Sequence, residues 1–140
     1  MTSYIRIISI VILENREGKI YLQLRDNFPH IRNPNQWGIF GGGVEPKENK
    51  LAAARREIKE ELLIDCDPQR IRFLNSFEID GRLFHLFQYL LEDEMAHAEL
   101  QEGQRMGCFT KEQVLTGAIE GRPVVPHHLD MLRWFWEIRK

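Results

Sequence analysis

A chain of 140 residues, 43% apolar and 29% charged, has ordinary globular usage and room for one hydrophobic core, which excludes wholesale disorder and a second sizeable domain. Nineteen Lys and Arg against twenty-one Asp and Glu leave a formal charge of −2, so no global field gathers nucleic acid or an anionic membrane. The longest nearly apolar run, Ile7 to Leu13, falls far short of the ~20 residues of a membrane span. It is bracketed by Arg6 and Glu14 and no small-residue cleavage site follows it, so it makes a poor signal peptide. Cys66 and Cys108 are too few for a disulfide scaffold or a four-ligand zinc site. These bounds lead us to expect a soluble, cytoplasmic, single domain over residues 1–140.

In chain order, Tyr4 to Leu13 is rich in isoleucine and predicts a buried strand. Glu14 to Gly18 is a turn, and Lys19 to Arg25 resumes as a strand with Ile20, Leu22 and Leu24 on one face, completing a hairpin. Asp26 to Gln36 carries two prolines and three asparagines and reads as a long loop. Trp37 to Phe40 is short and apolar and runs into Gly41-Gly42-Gly43. Asn49 can cap a helix whose apolar positions Leu51, Ala54, Ile58 and Leu62 recur at three- and four-residue spacing. Asp65 to Pro68 ends it. Ile71 to Ile79 and Arg82 to Leu91 predict two strands joined across Asp80-Gly81. Glu92 to Gln104 is a polar loop, Met106 to Phe109 a short strand, and Thr110 caps a short helix with its hydroxyl. Gly121 to Pro126 is a linker, and Pro126 to Lys140 forms a terminal helix with Leu129, Leu132, Phe135 and Trp136 facing inward. In the Trp134-Phe135-Trp136 cluster, core packing is the simplest role. Strands on both sides of a helix, with a further helix at the end, argue a mixed α/β sandwich.

The chemistry concentrates between Gly41 and Ile64. Glu57, Glu60 and Glu61 stand at i, i+3 and i+4, so three carboxylates share one helical face and repel one another by a few tenths of a kcal/mol per pair. Arg55 and Arg56 relieve only part of that locally. A divalent ion would relieve the rest, and oxygen-only ligands select Mg²⁺ or Mn²⁺ over zinc. Alone, such a trio is most often a solvated acidic face, and a glycine triplet is most often a tight turn. The triplet also lets a backbone approach a ligand closely.

Taken together, these residues resemble the box of the Nudix hydrolase family, G-x5-E-x7-R-E-U-x-E-E-x-G-U, where U is bulky and apolar. Gly42, Glu48, Arg56, Glu57, Glu60 and Glu61 supply six fixed identities across residues 42–64, with Ile58 and Ile64 at apolar places. At roughly 7% usage per residue, that arises by chance on the order of 10⁻⁷ per window. Leu63 departs from the pattern where the box has a glycine that closes the helix, and Lys47 replaces a frequent, non-obligatory glycine. The resemblance implies an α/β/α sandwich with a mixed central sheet. It implies hydrolysis of a nucleoside diphosphate derivative by water attack at phosphorus, with Mg²⁺ or Mn²⁺ as cofactor. Glu57, Glu60 and Glu61 would hold metal, with the Gly41 carbonyl as a further ligand and Gly42 at the substrate. Arg56 would orient a box glutamate, and Glu48 would support the loop–helix junction. In the nucleoside-triphosphate-cleaving branch, the nearest one, a later glutamate matches Glu102, with Glu99 as its competitor. A substrate-contacting arginine there matches Arg25. Glu60 or Glu102 would take the proton of the attacking water. The loops Asp26 to Gln36 and Glu92 to Gln104 would choose the substrate.

The resemblance implies a small-molecule nucleotide as partner, no nucleic acid or membrane, and a monomer or homodimer. Two rivals share the fold. One is a catalytically idle nucleotide-binding module, which would have lost box glutamates. The other is an isomerase of prenyl diphosphates, which needs a cysteine in its site. His30, His85, His97, His127 and His128 are scattered, and only the last two adjoin, so no histidine metal site is expected.

Overall fold

A computed structural model gives the structure of residues 4–139. Its elements run β1 (Arg6–Glu14), β2 (Ile20–Leu24), β3 (Trp37–Gly38), β4 (Phe40–Gly43), α1 (Lys50–Leu62), β5 (Ile71–Ile79), β6 (Arg82–Leu90), β7 (Arg105–Phe109), α2 (Lys111–Leu115), β8 (Ala118–Ile119), β9 (Arg122–Pro123) and α3 (Pro126–Glu137), with a 3₁₀ turn at Glu94–Ala96. The isoleucine-rich run becomes β1 because both of its faces are covered, as in a sheet packed between helix layers. Ile8, Ile10 and Ile12 join a core with Leu132 and Phe135 of α3. Val11 and Leu13 join a second core with Ala54, Ile58 and Leu62 of α1. The result is an α/β/α sandwich around a mixed seven-stranded sheet, as predicted.

β1 pairs along its length with β6 in parallel, and β6 pairs with β5 in an antiparallel hairpin. On its other edge β1 is shared. Ile8 to Val11 pair with β4, and only Leu13 and Glu14 pair with β2. β2 carries β3 and β7. The predicted β1–β2 hairpin therefore exists but splays after two residue pairs. The glycine triplet is not a tight turn: Gly41, Gly42 and Gly43 are strand residues of β4, facing Ile10, Ser9 and Ile8.

α1 starts at its predicted cap, where the Asn49 side chain accepts the Ala52 N–H at 2.7 Å. Its buried face is Ala53, Ala54, Ile58, Glu61 and Leu62. Leu51 lies on the exposed side at 36% accessibility, which corrects the apolar stripe drawn through it. Thr110 caps α2 and exchanges bonds with Gln113 in a capping box. The segment read as a linker contains β9, which pairs with β8 in a small hairpin. The predicted last helix ends at Glu137, and Lys140 lies outside the described residues. Leu129, Leu132, Phe135 and Trp136 are buried as expected, and Trp134 meets Phe77 edge-on at 5.2 Å. No helix among the described residues is long and apolar enough to cross a membrane.

Leu63 closes α1 in the left-handed conformation, φ 60° and ψ 31°, with its N–H on the Lys59 carbonyl. A side chain in that region costs roughly 1–2 kcal/mol that glycine does not incur, and Leu63 is 46% exposed, so it recovers little by burial. Leu63→Gly should raise stability by ~0.5–1 kcal/mol, after allowing for the extra freedom of glycine in the unfolded chain. Thermal unfolding tests this, and a lower midpoint would show that Leu63 packing outweighs its backbone strain.

Candidate active site

A cleft of about 550 Å³ opens over the first core, with Ile8, Ile10 and Phe84 among its lining residues. Gly41, Gly42 and Gly43 line it, and so do Glu57 and Glu60 from α1. β4 and α1 lock together because glycine lets the helix carboxylates lie on the strand. A Cβ at Gly42 would stand 2.5 Å from the Glu57 carboxyl.

The three carboxylates that share a helical face in sequence differ sharply in environment. Glu61 is 1% exposed. One of its oxygens accepts the Gly41 N–H at 2.8 Å and the other accepts Gln23 Nε2 at 2.9 Å. Burial, reinforced by the charges of Glu57 and Glu102, pushes its carboxyl up to about 8. Glu57 is half-buried and also raised, chiefly by burial and against the pull of Arg56. Glu60 is exposed.

Arg56 organises the box. Its Nε and Nη2 grip both oxygens of Glu48 at 2.7 and 2.9 Å, and Nη2 also donates to the Gly43 carbonyl at 2.8 Å. Its Nη1 reaches Glu57 at 3.0 Å and Glu60 at 3.1 Å. Glu48 in turn accepts the Glu45 N–H, and these bonds hold its carboxyl down to about 2. Arg55 does not share this work. Its Nε donates to the Cys66 carbonyl, so the local relief expected from it is absent.

Glu102 reaches the same cleft from the loop before β7. That loop is tied at both ends: Glu99 and Gln101 donate their N–H groups to the Leu62 and Glu61 carbonyls, and Gln104 donates its own to Leu24. Gly103 N–H donates to Asp26 and Gln104 Nε2 to the Arg25 carbonyl. The negative charge of Glu102 bears on both Glu57 and Glu61. Glu99 is outside the lining. Arg25 also lines the cleft, half-buried, with Nε on the Arg32 carbonyl at 3.0 Å. Burial lowers its pKa, against the raising influence of Glu61 and Glu102.

The donor set is all oxygen, which fits a hard divalent ion. Among the described residues no three His, Cys, Asp or Glu side chains already converge on one metal position, and Arg56 Nη1 stands between Glu57 and Glu60. Arg6, Arg32, Arg82, His127 and His128 line the cleft as well; sequence reasoning named none of them as a site residue and reached only Arg32, through the loop expected to choose the substrate. The two histidines are not ligand partners: His128 is buried and its Nδ1 accepts the Ile39 N–H at 3.0 Å. Cys66 is buried, pushed up to about 12 chiefly by that burial, and neither it nor Cys108 lines the cleft. The cysteine-dependent isomerase reading has no support from that arrangement.

A model of the NUDIX domain matches residues 4–135. Over 135 residues, 96% of this chain and 93% of the relative, the chain is 27% identical to the CTP pyrophosphohydrolase of Escherichia coli (strain K12). It is 43% identical to nucleoside triphosphatase NudI of Salmonella typhimurium over 68 residues, which span 43% of this chain and 48% of that protein. Among solved structures, DR0079 from Deinococcus radiodurans is similar in fold, with a TM-score of 0.78 at 20% identity over 95% of this chain and 84% of that one.

Proposed function

The chain belongs to the NUDIX domain family and is a Nudix hydrolase, and from that premise we propose that it cleaves a diphosphate linkage in a nucleoside diphosphate derivative by water attack at phosphorus. The observation that carries this reading is the meeting of Glu102, from a separate loop, with Glu57 and Glu60 at one cleft. Relatives named for CTP and nucleoside triphosphates make nucleoside triphosphates the first substrates to assay, ahead of nucleotide sugars. The same reading makes residues 1–140 one cytoplasmic Nudix domain, a monomer or homodimer acting on a small-molecule nucleotide without a nucleic-acid or membrane partner.

Glu57, Glu60, Glu61 and Glu102, with the Gly41 carbonyl, would hold Mg²⁺ or Mn²⁺. When bound, such an ion neutralises diphosphate charge and acidifies a coordinated water. The protein's own part is positioning and electrostatics. Arg56 fixes the carboxylates of Glu57 and Glu60, Glu48 anchors Arg56, and Arg25 and Gly42 face the substrate. Glu60 and Glu102 are the exposed carboxylates of the cleft, which suits either to accept the proton of the attacking water.

Turnover, followed by phosphate or pyrophosphate release, should vanish in excess chelator and return with Mg²⁺ or Mn²⁺. Full activity in chelator would remove the metal from this reading. Glu102→Gln should lower kcat by about tenfold or more with little change in KM, and Glu99→Gln should be nearly silent. If Glu99→Gln is the damaging change, the loop acts through the other glutamate.

A further inference from the structure

The cleft has a second, basic part that the carboxylate chemistry does not use. Arg6 opens β1 and Arg82 opens β6, and the two are partners in the parallel register, so both side chains leave the same face of the sheet. Arg32 joins them from the loop after β2, and all three line the cleft. Arg6 lies flat along β4, where a Cβ at residue 43 would crowd its Nη2 at 3.0 Å. Gly43 thus accommodates a guanidinium as Gly42 accommodates the Glu57 carboxyl. Among the described residues none of the three arginines has a carboxylate at ion-pair distance.

Arg82 is the informative member. It is 7% exposed, stacked over the Phe84 ring at 5.1 Å, and its Nε has no hydrogen-bond partner. No other buried side-chain nitrogen or oxygen among the described residues is left in that position. A buried N–H of a charged group without an acceptor is costly, and Arg32 and Arg6 add like charge to it, with Asp80 opposing. Burial lowers the pKa of both His127 and His128, and the charges of Arg82 and Arg25 lower them further. Arg25 connects the two parts, under the influence of Glu61 and Glu102 on one side and Arg6 on the other.

We propose that Arg6, Arg32 and Arg82 form an anion subsite, which receives a phosphoryl group of the substrate other than those gathered at the carboxylates. The identity of the ligand as part of a nucleotide rests on the hydrolase reading above; the anion site itself does not. An acceptor-rich nucleobase edge would also satisfy one arginine, but three unpaired guanidiniums favour a charged ligand.

The test is calorimetric titration and thermal unfolding of the full chain with inorganic pyrophosphate in excess chelator at constant ionic strength. Pyrophosphate should bind and raise the midpoint of the unaltered protein. Arg82→Met should weaken binding by at least roughly tenfold and, by removing a buried unsatisfied N–H and the repulsion from Arg6 and Arg32, raise the midpoint measured without ligand. The double variant Arg6→Gln with Arg32→Gln changes two exposed side chains and should weaken binding similarly with its fold intact. Glu60→Gln should keep the pyrophosphate response, so loss of hydrolysis and loss of this subsite are separable. A nucleoside triphosphate compared with its diphosphate identifies the source. An Arg82-dependent gain confined to the triphosphate assigns the terminal phosphate, and an equal gain assigns one of the inner two. No response of the unaltered protein, or equal affinity in all arginine variants, overturns the proposal. So does an Arg82-dependent response to cytidine or guanosine that matches pyrophosphate, since those carry no phosphate.

Discussion

Glu60→Gln and Glu61→Gln should each lower kcat by at least about 100-fold while leaving the protein folded. Both substitutions keep size and remove charge, at the cost of exchanging one accepting oxygen for an NH2 donor, and the two sites make that loss informative in different ways. Glu61 is buried, with its oxygens on Gly41 N–H and Gln23 Nε2, and burial pushes it up to about 8. Glutamine there is neutral, as burial favours, and can keep the Gly41 N–H on its oxygen while its NH2 donates to a flipped Gln23 amide, so the unfolding midpoint should change little. Glu60 is exposed and, among the described residues, its hydrogen-bond and ion-pair partner is Arg56, so its substitution disturbs little of the packing. A large loss of kcat without a loss of stability separates a metal-holding and proton-accepting face from a solvated acidic one. Near-normal kcat in both variants would leave only the latter, and Mn²⁺ titration of the same variants would show unchanged affinity.

What was legible in the sequence was what local physics determines. The period of α1, the Asn49 and Thr110 caps, the two-faced burial of β1 and the β5–β6 hairpin all follow from neighbours within a few residues. The box positions, being spaced along one helix and its approach, fall in the same class. The rest depends on pairings between distant segments. Arg6 and Arg82 meet only because β1 and β6 run parallel in one register, and no spacing in the sequence announces that. The differing burial of Glu57, Glu60 and Glu61 is set by β4 and Gln23, which come from outside the helix. Leu51 fits the helical period yet stays exposed, because Ala53 and Ala54 fill the packed face instead. The hairpin of β8 and β9 was hidden by strands of two residues each, too short to show a period.

Arg56→Ala should give the largest loss of stability, ~3 kcal/mol, or a fall in the midpoint of roughly 10 °C. The guanidinium is 24% exposed and bonds Glu48 through two nitrogens, the Gly43 carbonyl, Glu57 and Glu60. Its removal leaves three carboxylates facing one another and a strand carbonyl without its donor. Arg56→Lys should recover only part of the loss, because an ammonium cannot span both oxygens of Glu48 and still reach Gly43. The acid limb provides a second measurement. Glu48 is held down to about 2 from an ordinary 4.5, chiefly by Arg56. A carboxyl lowered on folding adds stability that is complete above its unfolded pKa and is lost as pH falls through the folded one. The unaltered protein should therefore lose stability between about pH 4.5 and 2, and Arg56→Ala should flatten that part of the profile. An unchanged midpoint and an unchanged acid limb would mean that β4 and α1 are held by their apolar contacts alone, and that Arg56 serves only to align Glu57 and Glu60.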